Sequence, residues 1–308
     1  MKAIRYHRYG ASDVLNYEET ERPVPGAGQV LVKVAGASFN PVDVAIRSGA
    51  LAEVFPVALP HVPGIDVSGT IAEVGAGVEG WQAGDAAVAF LPMTADGSAA
   101  EYTLAPADVL ARAPGTVDLA DAAALPAAGL TAWQALFEFA ELRAGQSILV
   151  NGAGGAVGGY AVQLAKHAGA EVTATASPRS VERVRGYGAD RIIDYTVTPV
   201  VDAAGGPFDV VLNLAPASPE EMAALAGLVR GGGALVSTTT PPPDTPGIRT
   251  PRVFVASKAD QLAGLVARVD AGELRIDVAD RRPLTDLPAV HDEAAAGRLA
   301  GKTVLVPG

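Results

Sequence analysis

Two kinds of hydrophobic pattern divide the chain. Over residues 1–118, short β-rich runs at Lys2–Tyr6, Gln29–Ala35, Gly69–Val74, Ala86–Phe90 and Ala99–Leu104 are separated by P-V-P-G, G-A-G and P-G turns. That pattern predicts an all-β, barrel-like beginning. From Ala120 the composition turns to alanine and leucine, and Thr131–Ala140 fits a helix, so a boundary is expected at Val117–Leu119. Ser147–Val150 is then an apolar run stopped by Gly152, Gly154, Gly155, Gly158 and Gly159. Val157, Ala161, Leu164, Ala165 and Ala168 recur at helical spacing until Gly169, and Glu171–Ser177 reads as the next strand. Further strands are expected at Phe208–Leu214 and Gly233–Thr238, with a helix over Pro219–Leu228 between them. Thr239–Pro251, with five prolines, can only be a loop. Arg252–Ala256, a helix over Ser257–Ala271 and a closing strand at Thr303–Val306 are expected to return to the first domain. The expected fold class is α/β: a β-rich domain from residues 1–118 and 252–308, interrupted by a doubly wound parallel-sheet domain at 119–251.

The strand, glycine turn, helix and strand over Ser147–Ser177 form a unit that binds a phosphate. Backbone N–H groups of the turn and the positive end of the helix converge on one point, and an anion there needs a close chain, which glycine permits. The turn is not a strict G-x-G-x-x-G: counted from Gly152, Val157 stands where the last glycine belongs. The flanking elements, rather than the glycines alone, favour a dinucleotide site.

What closes the second strand bears on the choice of cofactor. A site for an unphosphorylated ribose commonly carries an acidic residue about 20 residues after the glycines. None stands at T-A-S-P-R; Ser177 and Arg179 instead offer a hydroxyl and a guanidinium suited to a 2′-phosphate. The competing reading is that Ser-Pro-Arg caps a helix over Ser180–Tyr187.

Composition narrows the chemistry. A net charge of −11 and the lack of a basic patch argue against a nucleic-acid partner. Zero cysteines remove disulfides, thiolate nucleophiles and thiolate metal sites, and His7, His61, His167 and His291 form no ligand-spaced pair. No apolar run reaches membrane-spanning length and the N-terminus has no signal-peptide core, so a cytoplasmic protein is expected. There is no G-x-S-x-G elbow. The segment Gly297–Thr303 mimics a triphosphate loop but is one residue short between its glycines and precedes a strand, so no phosphate binding is expected there. Phe90 and Met93 are pocket candidates, although apolar residues near a strand end more often belong to a core.

Five segments in register carry a resemblance over nearly the whole chain: N-P-V-D-V-A-I-R-S-G from Asn40, P-H-V-P-G-I-D-V-S-G from Pro60, A-L-P-A-A-G-L-T-A-W from Ala124, N-G-A-G-G-A-V-G from Asn151, and G-K-T-V-L-V from Gly301. The chain closely resembles the zinc-independent quinone oxidoreductase branch of the medium-chain dehydrogenase/reductase superfamily. The resemblance implies a GroES-like catalytic domain interrupted by a Rossmann domain, a cleft holding NADPH and substrate, and a homodimer. It implies that Asn40 and Thr131 approach the nicotinamide end and act in catalysis. It places Gly154, Gly155, Ala156 and Val157 at the pyrophosphate, and Phe254 and Val255 at the far wall of the nicotinamide slot. Tyr195 matches a tyrosine beside the 2′-phosphate, joining Ser177 and Arg179; without the resemblance it reads as a surface residue ending a strand.

Zinc-dependent members of the superfamily have a cysteine in the region of Asn40 and Gly-His-Glu where this chain has Gly64-Ile65-Asp66. Neither thiolate nor imidazole is available there, and only a short M-T-A-D-G-S loop joins Phe90 to Glu101 in place of a structural zinc lobe. Asp43 and Asp66 are therefore expected to make structural hydrogen bonds rather than hold a metal. One departure concerns the substrate: relatives often have a tyrosine where this chain has Ala45, and an aromatic where it has Leu51. The expected activity is NADPH-dependent hydride transfer to a quinone or an α,β-unsaturated carbonyl, with Asn40 and Thr131 as hydrogen-bond donors and the proton coming from water or an unidentified group. The alternative is an NADPH-binding sensor or scaffold with little turnover, which the missing aromatics favour.

Overall fold

The computed structural model describes residues 1–308. The chain forms two compact units: residues 1–127, 257–272 and 276–308 in the first, and residues 128–256 with 273–275 in the second.

The first unit begins with the paired strands β1 (Lys2–Arg5) and β2 (Asn16–Glu19), followed by β3 (Gln29–Ser38), helix α1 (Pro41–Arg47), β4 (Asp66–Val74), β5 (Ala86–Phe90), β6 (Tyr102–Pro106) and β7 (Leu110–Arg112). The antiparallel sheet runs β3-β4-β5-β7, with β6 also paired to β3. Alternate residues of these strands, including Val30, Val32, Val67, Ile71 and Ala89, fill one buried cluster. Pairing at the end of β3 sets Ser38 opposite Asp66, which brings two buried polar side chains together in an otherwise apolar wall.

The second unit takes up α2 (Pro126–Trp133), which begins just before the division and runs on into a π turn at Gln134–Phe139. Next come β8 (Ser147–Asn151), α3 (Ala156–His167), β9 (Glu171–Ala176), α4 (Val181–Gly186), β10 (Arg191–Asp194), α5 (Val200–Ala204), β11 (Phe208–Asn213), α6 (Pro219–Ala226) and β12 (Val229–Ser237). The strands lie parallel in the order β10-β9-β8-β11-β12, a doubly wound sheet whose order reverses on either side of β8. Ile148, Leu149 and Val150 are all fully buried, as expected for a strand covered on both faces. Beyond β12, parallel bridges at Ala234–Arg249 and Ser237–Arg252 add an irregular sixth edge.

The chain then returns to the first unit with α7 (Ala259–Asp270), β13 (Asp280–Pro283), α8 (Leu287–Ala295) and β14 (Thr303–Val306). β14 pairs antiparallel with β3, setting Val304 opposite Ser38, and β13 pairs parallel with β14.

The first crossing falls at 127/128, beyond the boundary expected at residue 118, and the return falls at 256/257 rather than 251/252. Residues 119–127 stay with the first unit because Ala120 packs against Gly36, its carbonyl accepts from Ser68 Oγ at 3.4 Å, and the Ala127 N–H donates to Asp66 at 2.7 Å. Residues 252–256 stay with the second because Arg252 bridges to Ser237, and Gln134 holds the Ala256 backbone through both of its polar atoms.

Candidate functional site

The carboxyl ends of the parallel strands carry the polar groups of the second unit. Gly152, at φ 95°, turns the chain out of β8 in a conformation that disfavours a side chain. Its N–H donates to Thr175 Oγ1 at 2.8 Å, that hydroxyl donates to Asn151 Oδ1, and Asn151 Nδ2 donates to Asn213 Oδ1 at 2.8 Å. The chain of bonds crosses β9, β8 and β11, fixing the strand ends where the sheet order reverses and where ligands of such sheets bind. Gly158 has no room for a Cβ, which would lie 2.4 Å from the Gly152 carbonyl oxygen. Only glycine lets α3 start so close to the turn.

Gly155 caps α3 without a side-chain bond, and Gly155 is exposed with Gly154, Ala156 and Val157 half-buried beside it. Uncapped N–H groups at the start of a twelve-residue helix form an anion cradle. Gly154 is closed on its other side: its carbonyl accepts from Arg183 Nη2 at 2.8 Å, and a Cβ would meet Ser180 Oγ at 2.6 Å. Arg183, on α4, is a residue that sequence reasoning missed.

Ser177 lies just past β9, and Tyr195 just past β10. Parallel pairing of Asp194 with Ala176 brings them to the same edge, where the Tyr195 N–H donates to the Ala176 carbonyl at 3.4 Å. Tyr195 is 51% exposed. Arg179 is exposed. Ser177 does help to start α4, but through its backbone carbonyl, which accepts from Ser180 and Val181 N–H groups at 2.9 and 3.0 Å. Capping therefore uses neither the Arg179 guanidinium nor a short bond from the Ser177 hydroxyl.

Thr131 is half-buried on α2, one turn before Gln134. Gln134 Nε2 donates to the Ala256 carbonyl at 2.8 Å and its Oε1 accepts from the Ala256 N–H at 2.9 Å. This double clamp holds the 253–256 segment to the helix that carries Thr131. Phe254 stands 65% exposed with the Arg252 guanidinium 4.9 Å from its ring centre, and Val255 is half-buried.

Asn40, in the first unit, belongs to a different kind of site. It precedes α1, and its N–H donates to Asp43 Oδ2 at 2.8 Å. Its Nδ2 donates to Asp66 Oδ2 at 2.8 Å and to the Ser38 carbonyl at 3.2 Å, while its Oδ1 accepts from Lys302 Nζ at 2.8 Å. Both amide hydrogens are thus engaged inside the protein. Asp66 is wholly buried; it also accepts from Ser38 Oγ at 2.6 Å, Lys302 Nζ at 3.1 Å and the Ala127 N–H at 2.7 Å. The expected structural hydrogen bonds of Asp43 and Asp66 are present. Lys302, 5% exposed, is the residue that sequence reasoning missed here. The G-K of the false triphosphate loop delivers its ammonium to a buried carboxylate, as the register of β14 with β3 and of β3 with β4 requires.

No group of three or more His, Cys, Asp or Glu side chains is placed to hold a metal ion. The positions that face Asp66 supply an amide, a hydroxyl and an ammonium, all three of them donors that compete with a cation. This donor set does not fit zinc.

The fold is a doubly wound parallel-sheet domain inserted into a β-rich domain. Residues 26–115 match the family model of the alcohol dehydrogenase GroES-like domain, and residues 187–305 that of zinc-binding dehydrogenases. The chain is 33% identical to a chloroplast envelope quinone oxidoreductase homolog of Arabidopsis thaliana, over 100% of this chain and 98% of that protein. It is 36% identical to an NADPH-dependent alkenal/one oxidoreductase of the same plant, over 100% of this chain and 80% of that one. The solved quinone oxidoreductase of Coxiella burnetii superposes with a TM-score of 0.90 at 29% identity, covering 99% of both chains. The chain belongs to the quinone oxidoreductase branch of the medium-chain dehydrogenase/reductase superfamily. No helix is long and apolar enough to cross a membrane.

Proposed function

We propose that this protein transfers a hydride from NADPH to a quinone or to the β-carbon of an α,β-unsaturated carbonyl, without a metal. The observation that carries the reading is the edge of the parallel sheet where Ser177 and Arg179 follow β9 and Tyr195 follows the adjacent β10, with the Arg179 side chain exposed. That set suits a 2′-phosphate dianion. The N–H groups of Gly155, Ala156 and Val157 hold the pyrophosphate, and Gly154 gives it close approach. Thr131, Phe254 and Val255 line the nicotinamide end, held together by the Gln134 clamp.

When bound, the dinucleotide supplies the hydride; the protein supplies position and a dry environment. The donor set around Asp66 offers no Lewis acid, so electrophilicity has to come from conjugation in the acceptor. Thr131 is the side chain proposed to polarise it. Asn40 acts as a positioning residue, holding Asp66 and Lys302 and the start of α1. The relatives named for quinones and for alkenals or enones support the acceptor class.

The test is NADPH oxidation, followed by absorbance, with the purified protein and a panel of quinones, enones and saturated ketones. Turnover with the first two groups is expected. Tight NADPH binding with no turnover across the panel would favour the sensor reading, which Ala45 and Leu51 support in place of aromatic side chains.

A further inference from the structure

The peptide that joins Gly154 to Gly155, the N-cap of α3, is held at both ends. Its carbonyl, on Gly154, accepts from Arg183 Nη2 at 2.8 Å, and its N–H, on Gly155, donates to the Gly152 carbonyl at 3.2 Å. A peptide between two glycines is the easiest kind to rotate, because no Cβ restricts the dihedrals on either side. Gly155 sits at φ −84° and ψ 173°, which any residue adopts; a half-turn of the peptide would carry that φ into the positive region that glycine alone enters freely. Hydrogen bonds rather than sterics therefore keep this peptide in one orientation.

Arg183 reaches the carbonyl because of how α4 begins. The Ser177 carbonyl accepts from the Ser180 and Val181 N–H groups at 2.9 and 3.0 Å, which turns the chain into the helix. Ser180 is 7% exposed and lies against Gly154, where an added Cβ would stand 2.6 Å from its Oγ. Ser180 and Arg183 are three residues apart, so they share the face of α4 that meets the glycine turn. The buried residue of α4 is Val184, so half-buried Arg183 adds a polar contact beside the helix's apolar one.

We propose that Arg183 is a positioning residue for the cofactor: it fixes the Gly154–Gly155 peptide and so aims the N–H groups at the start of α3 at the pyrophosphate. The inference rests on the dinucleotide reading above. An anion held by backbone N–H groups gains most when those groups already point at it, because ordering them on binding consumes part of the affinity. Without the Arg183 bond the peptide samples positive Gly155 φ, the entry to α3 spends only part of its time in the binding arrangement, and affinity falls by that fraction. The pyrophosphate is common to NADPH and NADH. Arg183 therefore acts on both, whereas Arg179 is assigned to the 2′-phosphate that NADPH alone carries.

A double-mutant cycle read by calorimetric titration separates this role from others. Arg183→Met should weaken NADPH and NADH alike, on the order of tenfold, as for a binding arrangement populated about one-tenth of the time. Gly155→Ala keeps the Gly155 N–H, and its Cβ meets nothing nearer than the Gly152 carbonyl oxygen at 3.5 Å, but it makes positive φ costly. In the Gly155→Ala background the loss caused by Arg183→Met should shrink to about threefold or less. Comparing losses within each background cancels whatever the added methyl does to the ligand itself. The titrations are made where circular dichroism shows every variant folded, and Arg183→Gln, shorter and uncharged, serves if Arg183→Met does not fold. Three outcomes overturn the proposal: a loss confined to NADPH, which makes Arg183 a 2′-phosphate ligand; a loss of the same size in both backgrounds, which makes it a general charge effect; and no loss at all. Wild-type protein that binds neither dinucleotide overturns instead the cofactor reading on which the proposal rests.

Discussion

The buried cluster around Asp66 and the open edge of the parallel sheet are both polar, but they treat their hydrogen-bonding groups in opposite ways. In the first, Ser38, Asn40, Lys302 and the Ala127 backbone direct their donors at one carboxylate, and Asp66 is 0% exposed. Nothing is left over for a ligand. At the sheet edge, Arg179 is exposed and the start of α3 is uncapped. The contrast separates residues that hold the protein's shape from residues that can bind, although both kinds lie in motifs that the family resemblance marks alike. Asn40 shows the difference most clearly: a motif residue whose amide is occupied by its own protein.

The largest expected effect would break the satisfied side of this comparison. Lys302→Met removes the cation from a buried pair and leaves Asp66 charged without it, so unfolding free energy should fall by about 3–5 kcal/mol, read from urea denaturation. A change within the error of the transition would mean that Asp66 is stable without its ion pair. Arg179→Ala probes the open side. Loss of a charge-assisted bond of about 1.5–3 kcal/mol predicts roughly tenfold to over a hundredfold weaker NADPH binding, with NADH binding and thermal stability nearly unchanged. Equal weakening of both cofactors, measured by calorimetric titration, would assign Arg179 a structural role.

A third effect is a slope with pH. His291 is held neutral in the folded protein down to about 3, so below its unfolded value near 6.5 the unfolded chain binds the extra proton and stability falls as pH falls. Asp43 acts in the other direction. Its folded value is about 7 against 3.8, so between them the folded state binds the extra proton and stability falls as pH rises. From about pH 4 to 6.5 the two slopes, each at most about 1.4 kcal/mol per pH unit, oppose one another. His291→Gln should leave the Asp43 slope exposed, so that the variant gains stability relative to wild type as pH is lowered through that range. Parallel curves for the two proteins in a urea series would show that His291 does not titrate as its burial requires.

Much of this molecule was legible in the sequence because the signals are local. The glycine turn declares itself through steric requirements such as that of Gly158, and the parallel strands through continuous apolar runs such as Ile148–Val150. Ser177 and Tyr195 each follow directly on a strand, β9 and β10, although Tyr195 stood out only through the family resemblance. What sequence reasoning missed is non-local or short. Lys302 meets partners at positions 38, 40 and 66, a cluster that exists only through strand register. α1 is seven residues long and β7 three, too short for any period to show. The domain crossing at 127/128 depends on Ala120 packing against Gly36, which no change in composition marks. Arg183 lies on α4, and its bond to the Gly154 carbonyl comes from the fold.

The central claim is tested most directly by NADPH oxidation with the protein stripped of metal by a chelator, offered quinones, enones and saturated ketones side by side, with NADH as the control donor. The account predicts undiminished turnover of quinones or enones with NADPH, weaker turnover with NADH, and little with saturated ketones. Activity that vanishes with the chelator and returns with zinc, or a preference for saturated ketones, would contradict it.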